Sequence, residues 1–200
     1  MLILVLQTWL YTSHSTRFNK PGDYQSFTIA GFPIFLILGK DGKIRAFHNV
    51  CRHRAYTVTK KESGSSLVLG CRYHGWSYNA YGSLTKAPHF DKVPGFDKSQ
   101  NGLFEIRTLV SKYGFVFVNL RAGVEIPEGH FDGLDEFVET TSRNKFGIMN
   151  SPSTLVWARS QTIDGNFNWK FACMFMNLFL ILSIYFDARS DEHSEIYTFH

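Results

Sequence analysis

Between residues 24 and 120 the apolar and polar positions alternate in short runs, each closed by a turn residue. "YQSFTIAG" passes into "FPIFLILG", "KDGK" supplies an Asp41-Gly42 turn, and "KIRAFHNV" follows as a strand that ends at Cys51. "SSLVLGC" reads as a strand entering Cys71, "WSYNAYGSLTK" as a hairpin turning near Gly82, and "LFEIRTLVSKYGFVFVNL" as two strands around Lys112 to Gly114. No helical period interrupts the series. The pattern predicts a mainly β fold, a small antiparallel sandwich or barrel whose loops carry the chemistry.

After Leu120 the pattern changes. "RAGVEIPEGHFDGLDEFVETTSRN" sets Pro127, Glu128 and Gly129 ahead of a short helix over Asp132 to Thr140 and reads as a linker. "STLVWARSQTI" then reads as the strand that begins an α+β domain. "FACMFMNLFLILSIYF", residues 171–186, is nearly without polarity, follows neither a 3.6 nor a 2.0 period, and is a little short of the roughly 20 residues of a bilayer span, so no membrane partner is expected apart from this tail, for which a tail anchor is the minor alternative. The start, "MLILVLQTWLYTSH", lacks a basic n-region and a cleavage site, so it reads as a shortened helix or strand rather than a signal peptide. The expected organisation is a β domain over 9–122, a linker and domain start over 123–170, and an apolar tail over 171–200.

Composition narrows the class. Hydrophobic residues make up 44% of the chain and charged residues 19%, which argues against disorder. The net charge of +4 comes without any Lys/Arg run longer than two residues, so nucleic acid is not an expected partner. Three cysteines cannot build a disulfide framework, and two of them stand beside histidines. That usage suits a reducing compartment: the cytoplasm, or an organelle stroma or matrix.

The candidate chemistry is C-x-H, seventeen residues, then C-x2-H: Cys51, His53, Cys71 and His74. Each pair lies on its own short loop, where the chain must turn sharply between its two ligands. Two thiolates and two imidazoles suit zinc or iron. Zinc in a tetrahedral Cys2His2 set is the rival. Against it stand the tight C-x-H spacing, the alternation of Cys and His between loops, and a domain too large to need a metal in order to fold.

"CRHR", "GCRYHGWSY" and the flanking "FHNV" resemble the Rieske proteins, in particular the large (alpha) subunits of Rieske non-haem iron oxygenases of the choline monooxygenase-like and aromatic ring-hydroxylating dioxygenase group. "RFNKPGDYQSFTIAGFPIFLI", "APHFDKVPGFDKSQNGL" and "GFVFVNL" extend the resemblance over residues 9–170. It implies a 2Fe-2S cluster with Cys51 and Cys71 on one iron and His53 and His74 on the other, each imidazole through a ring nitrogen. Two ferric ions, two sulfides, two thiolates and two neutral imidazoles sum to zero charge. Adding an electron then costs less than in a four-thiolate cluster. The resemblance further implies an electron-donating reductase with flavin and NAD(P)H, or a ferredoxin, and a homo-oligomer in the full-length family. There, electrons pass to a mononuclear Fe(II) site of a neighbouring subunit that activates dioxygen. Respiratory Rieske proteins add two bridging cysteines and a hydroxyl after the His-Gly pair. This chain lacks those cysteines and has Trp76 instead, with Tyr78 as an alternative donor, which implies the lower, oxygenase end of the potential range.

Other residues carry weaker readings. Arg52 and Arg54 present charge to an electron donor or a neighbouring subunit, or simply solvate their loop; Trp76 shields the cluster or only packs. His14, His48, His89 and His130 read as ordinary histidines. "NFNWK", Asn166 to Lys170, matches the place where the family's catalytic domain opens, but no D-x-x-H-x4-H follows, and His193 and His200 have no later carboxylate. Residues 171–200 are therefore expected to reflect a shifted frame or retained intron. The chain is expected to assign no catalytic residue, not to bind the mononuclear iron, and to perform only the first electron transfer. The competing readings are a Rieske ferredoxin-type carrier and a zinc-stabilised interaction module.

Overall fold

The computed structural model describes residues 8–90 and 92–121, with residues 133, 134, 136 and 138. All belong to one compact unit, Met1–Trp157. The strand expected at "STLVWARSQTI", the apolar run over 171–186, Cys173, His130, His193 and His200 lie outside the described residues, as does most of the expected linker helix, of which residues 134, 136 and 138 are helical.

Among the described residues ten strands follow in chain order: β1 (Leu10–His14), β2 (Asp23–Ile29), β3 (Phe32–Leu38), β4 (Ile44–His48), β5 (Ser63–Ser65), β6 (Val68–Gly70), β7 (Ser77–Asn79), β8 (Leu84–Lys86), β9 (Glu105–Val110) and β10 (Phe115–Asn119). Seven form one antiparallel sheet in the order β1-β10-β9-β4-β3-β2-β5, and β6-β7-β8 form a second. The mainly β, antiparallel architecture is the one the alternation predicts.

β3 explains the layering. Ile34, Phe35, Leu36 and Ile37 are all fully buried, so this strand has no solvent face. Its period of two sorts the side chains between two cores. Ile34 and Leu36 join Phe18, Ala46, Ile106, Val116 and Val118, whereas Phe35 and Ile37 join Phe47, Cys51, Cys71, Trp76 and Tyr78. One face of β3 and β4 thus closes the sheet on itself, and the other is the floor beneath both cysteines.

The turns have chemical causes. Gly42 has φ 74° between β3 and β4, and Asp41 accepts the Lys43 N–H at 3.3 Å. Gly82 has φ 78° between β7 and β8, and a Cβ there would strike the Phe47 ring. The β7-β8 hairpin therefore rests directly on the main sheet.

Candidate metal centre

Two loops leave these sheets with the same backbone geometry. In the first, the Cys51 N–H donates to the Tyr56 carbonyl at 2.8 Å and the Cys51 carbonyl accepts the Ala55 N–H at 2.9 Å. In the second, the Cys71 N–H donates to the Trp76 carbonyl at 2.8 Å and the Cys71 carbonyl accepts the Gly75 N–H at 3.0 Å. Both loops pass through positive φ four residues after the cysteine, 54° at Ala55 and 73° at Gly75. Each is a tight reversal that starts and ends on its cysteine. The different offsets of His53 and His74 are absorbed within this shared turn.

The donors are sorted by element. Cys51 and Cys71 are only 2% and 3% exposed and share one buried cluster, close enough that, after burial, Cys51 helps raise the Cys71 thiol pKa. The His53 and His74 rings meet edge to face with centroids 4.6 Å apart, on the outer side, where His74 is exposed. Among the described residues no three His, Cys, Asp or Glu groups are placed to hold a single ion together. Thiol beside thiol and imidazole beside imidazole is the division that a cluster with two Cys on one iron and two His on the other requires.

Further features fit such a group. His53 Nδ1 is buried with no hydrogen-bond partner, a nitrogen kept free at the place where a ligand atom is needed. Burial, then the charges of His74 and Arg54, lower the His53 pKa and favour the neutral, metal-binding imidazole. Burial raises the Cys71 thiol, while the backbone N–H groups of Tyr73 and His74 pull it back down. Amides directed at a sulfur are the protein's means of holding a thiolate away from water.

An aromatic wall holds His53. Trp76, 2% exposed, stacks on it at 5.0 Å with planes 10° apart, and Phe90 meets it edge-on at 5.1 Å. Phe96 packs on both Trp76 and Phe90. Trp76 therefore covers one face of a candidate ligand. On the open side, Tyr73 is 53% exposed and its ring lies 3.8 Å from that of His74.

Asn49, absent from the sequence-derived candidates, closes the first loop. Its Oδ1 accepts the N–H groups of Val58 and Thr59 at 3.0 and 2.9 Å, and its Nδ2 donates to the Thr59 carbonyl at 2.9 Å. A buried amide thus pins both ends of the segment carrying Cys51 and His53. Of the remaining described histidines, His14 is buried against the Tyr113 carbonyl at 2.7 Å, His48 is half-buried at the end of β4, and His89 is exposed in a turn. Arg54 is exposed, while the Arg52 guanidinium lies 3.8 Å over the Phe104 ring.

Residues 8–97, which include both loops, match the family model described as the Rieske [2Fe-2S] domain. The chain carries a Rieske [2Fe-2S] domain. It is homologous to oxygenase subunits that contain this domain. The carnitine monooxygenase oxygenase subunit of Acinetobacter pittii is 34% identical over 66% of this chain and 35% of the relative. The 2-aminobenzenesulfonate 2,3-dioxygenase subunit alpha of an Alcaligenes species is 35% identical over 82% of this chain and 41% of the relative. A crystal structure of a quaternary ammonium Rieske monooxygenase with L-carnitine superposes with a TM-score of 0.63 at 30% identity, covering 72% of this chain and 40% of that one. The chain thus spans well under half the length of these relatives. No helix among the described residues is long and apolar enough to cross a membrane.

Proposed function

We propose that this Rieske domain holds its 2Fe-2S cluster through Cys51 and Cys71 on one iron and His53 and His74 on the other, and that it accepts single electrons from an NAD(P)H-dependent reductase or ferredoxin for delivery to a mononuclear iron oxygenation site. The observation that carries the reading is the pair of matched loops with buried thiols inward and imidazoles outward. When bound, the group would supply a one-electron carrier whose oxidised form, ligands included, has no net charge. The residues around it supply the rest. Neutral His53 offers its free Nδ1, Trp76 and Phe90 keep water from that ring, and exposed His74 gives electrons a short exit to an acceptor.

One of the similar structures, that of a quaternary ammonium Rieske monooxygenase, bears on inter-subunit electron transfer in that protein. By that likeness, the acceptor is a neighbouring copy in a homo-oligomer, in a cytoplasmic or organellar matrix. No residue of this chain is assigned to the mononuclear iron, and the 200-residue chain is expected to take up electrons without hydroxylating substrate. Supplying Fe(II), reductase, NADH and a panel of quaternary amines and aromatic rings tests this. Cluster reduction without product is the expected outcome, whereas product formed in step with substrate-dependent oxygen consumption would overturn the division of labour.

A further inference from the structure

The residues leaving β4 alternate in the side they serve. Asn49 and Cys51 are buried toward the first loop and its core, whereas His48 and Val50 line a groove of about 630 Å³ together with Phe32, Phe104, Ile106 and Leu120. The groove therefore adjoins the segment that leads from β4 to Cys51. Its floor is apolar, and Phe104 on its rim is 53% exposed and carries the Arg52 guanidinium on its ring.

The polar groups of the groove are donors and cations with one exception. Asn119, 1% exposed, uses its Oδ1 to accept the Arg121 N–H at 2.9 Å, which leaves its buried Nδ2 without a partner. A buried donor without an acceptor is costly, and an acceptor arriving from outside relieves that cost. Arg107, in register with Asn119 across β9 and β10, and Arg121 stand on the same lining. The exception is Glu105, whose carboxylate lies within the field of Arg45.

An apolar floor, an orphaned amide donor and a cationic rim fit a protein segment that brings carboxylates on apolar stems. We propose that this groove docks the acidic face of the electron-donating protein. The inference rests on the electron-carrier reading above and gives it a direction: the donor arrives beside the segment that leads into Cys51, and the exposed His74 side stays free for the acceptor. One electron leaves the reduced donor and one enters the chain's cluster, so no bond is made or broken and no proton is required.

Calorimetric binding of an oxidised, acidic plant-type [2Fe-2S] ferredoxin to the purified 200-residue chain tests the site without requiring turnover. Arg121→Glu should weaken binding about fivefold at low salt, and wild-type affinity should fall as salt rises. Lys112→Glu makes the same charge change at the far end of the β9-β10 pair and should leave affinity unchanged. Stopped-flow reduction by reduced ferredoxin should slow in Arg121→Glu alone, with the midpoint potential unmoved. No ferredoxin binding, or equal binding and equal reduction in both variants, overturns the proposal. So does a chain that self-associates through the groove, shown by dimer loss in Arg121→Glu with ferredoxin affinity intact. A chain that holds no reducible cluster defeats the electron-carrier reading instead, and the binding arm still decides the groove.

Discussion

The Tyr78 hydroxyl stands 3.3 Å from Cys51 Sγ and accepts the Arg52 N–H at 3.0 Å. Because the oxygen already receives the Arg52 proton, its own proton is free to point at the sulfur. Burial and the Cys51 contact raise the Tyr78 pKa, so the donor stays protonated across the working range.

Tyr78→Phe removes that donor while keeping the ring in the core. Negative charge on the sulfur grows on reduction, so losing the hydrogen bond should lower the midpoint potential by about 20–60 mV, the equivalent of one ordinary hydrogen bond. Protein-film voltammetry reads this directly. An unchanged potential with an intact spectrum would remove Tyr78 from the tuning of the site.

The equivalence of the loops makes an asymmetric prediction. Ala55 bears a left-handed φ of 54° that a glycine adopts freely, so Ala55→Gly should preserve cluster retention and raise stability slightly. Gly75 has φ 73°, and a Cβ there would meet Pro88 Cγ at 3.3 Å, so Gly75→Ala should cost about 1–2 kcal/mol and speed cluster loss to a chelator. Equal behaviour of the two variants would mean that the loops are not equivalent.

Asn49→Ala strands the buried N–H groups of Val58 and Thr59 and the Thr59 carbonyl. The expected loss is about 2–4 kcal/mol in urea unfolding, with the cluster released early because the first loop opens. A loss below 1 kcal/mol would show that backbone contacts alone close the loop.

Burial lowers the pKa of both His14 and His48, against a partial rise at His14 from the Tyr113 carbonyl. The unfolded chain then binds protons near pH 6.5 that the folded chain refuses. Stability should therefore be full above about pH 7 and fall as the pH drops through 6.5 toward the lowered folded values. His48→Gln should flatten the dependence of melting temperature between about pH 7 and 5.5. An identical slope in wild type and variant would contradict this.

The sequence carried different parts of this molecule with different clarity. The turns at Asp41-Gly42, Gly82 and Gly114 were legible because each puts a residue suited to positive φ between alternating runs. β5, Ser63–Ser65, gave no signal, since all three residues are exposed and the strand exists only by pairing with β2. The joining of β1 to β10 and of β4 to β9 depends on contacts far apart in the chain, which local alternation does not encode. The four candidate ligands were visible from residue type and spacing. Asn49 was not, because an asparagine after a strand reads as a turn residue until Thr59 is brought beside it. Ala55 was silent as well, since alanine does not advertise a left-handed backbone.

In the proposed site, sulfur and nitrogen donors divide between two irons. Pulsed EPR of the dithionite-reduced chain, with iron and acid-labile sulfide counted on the same sample, tests it most directly. A divided donor set should give iron and sulfide in equal amounts and an average g value below that of an all-thiolate 2Fe-2S protein. It should also give coupling to two histidine nitrogens, of which one is lost in His53→Cys and one in His74→Cys. A colourless chain carrying zinc, or a cluster whose spectrum shows no nitrogen coupling, would contradict it.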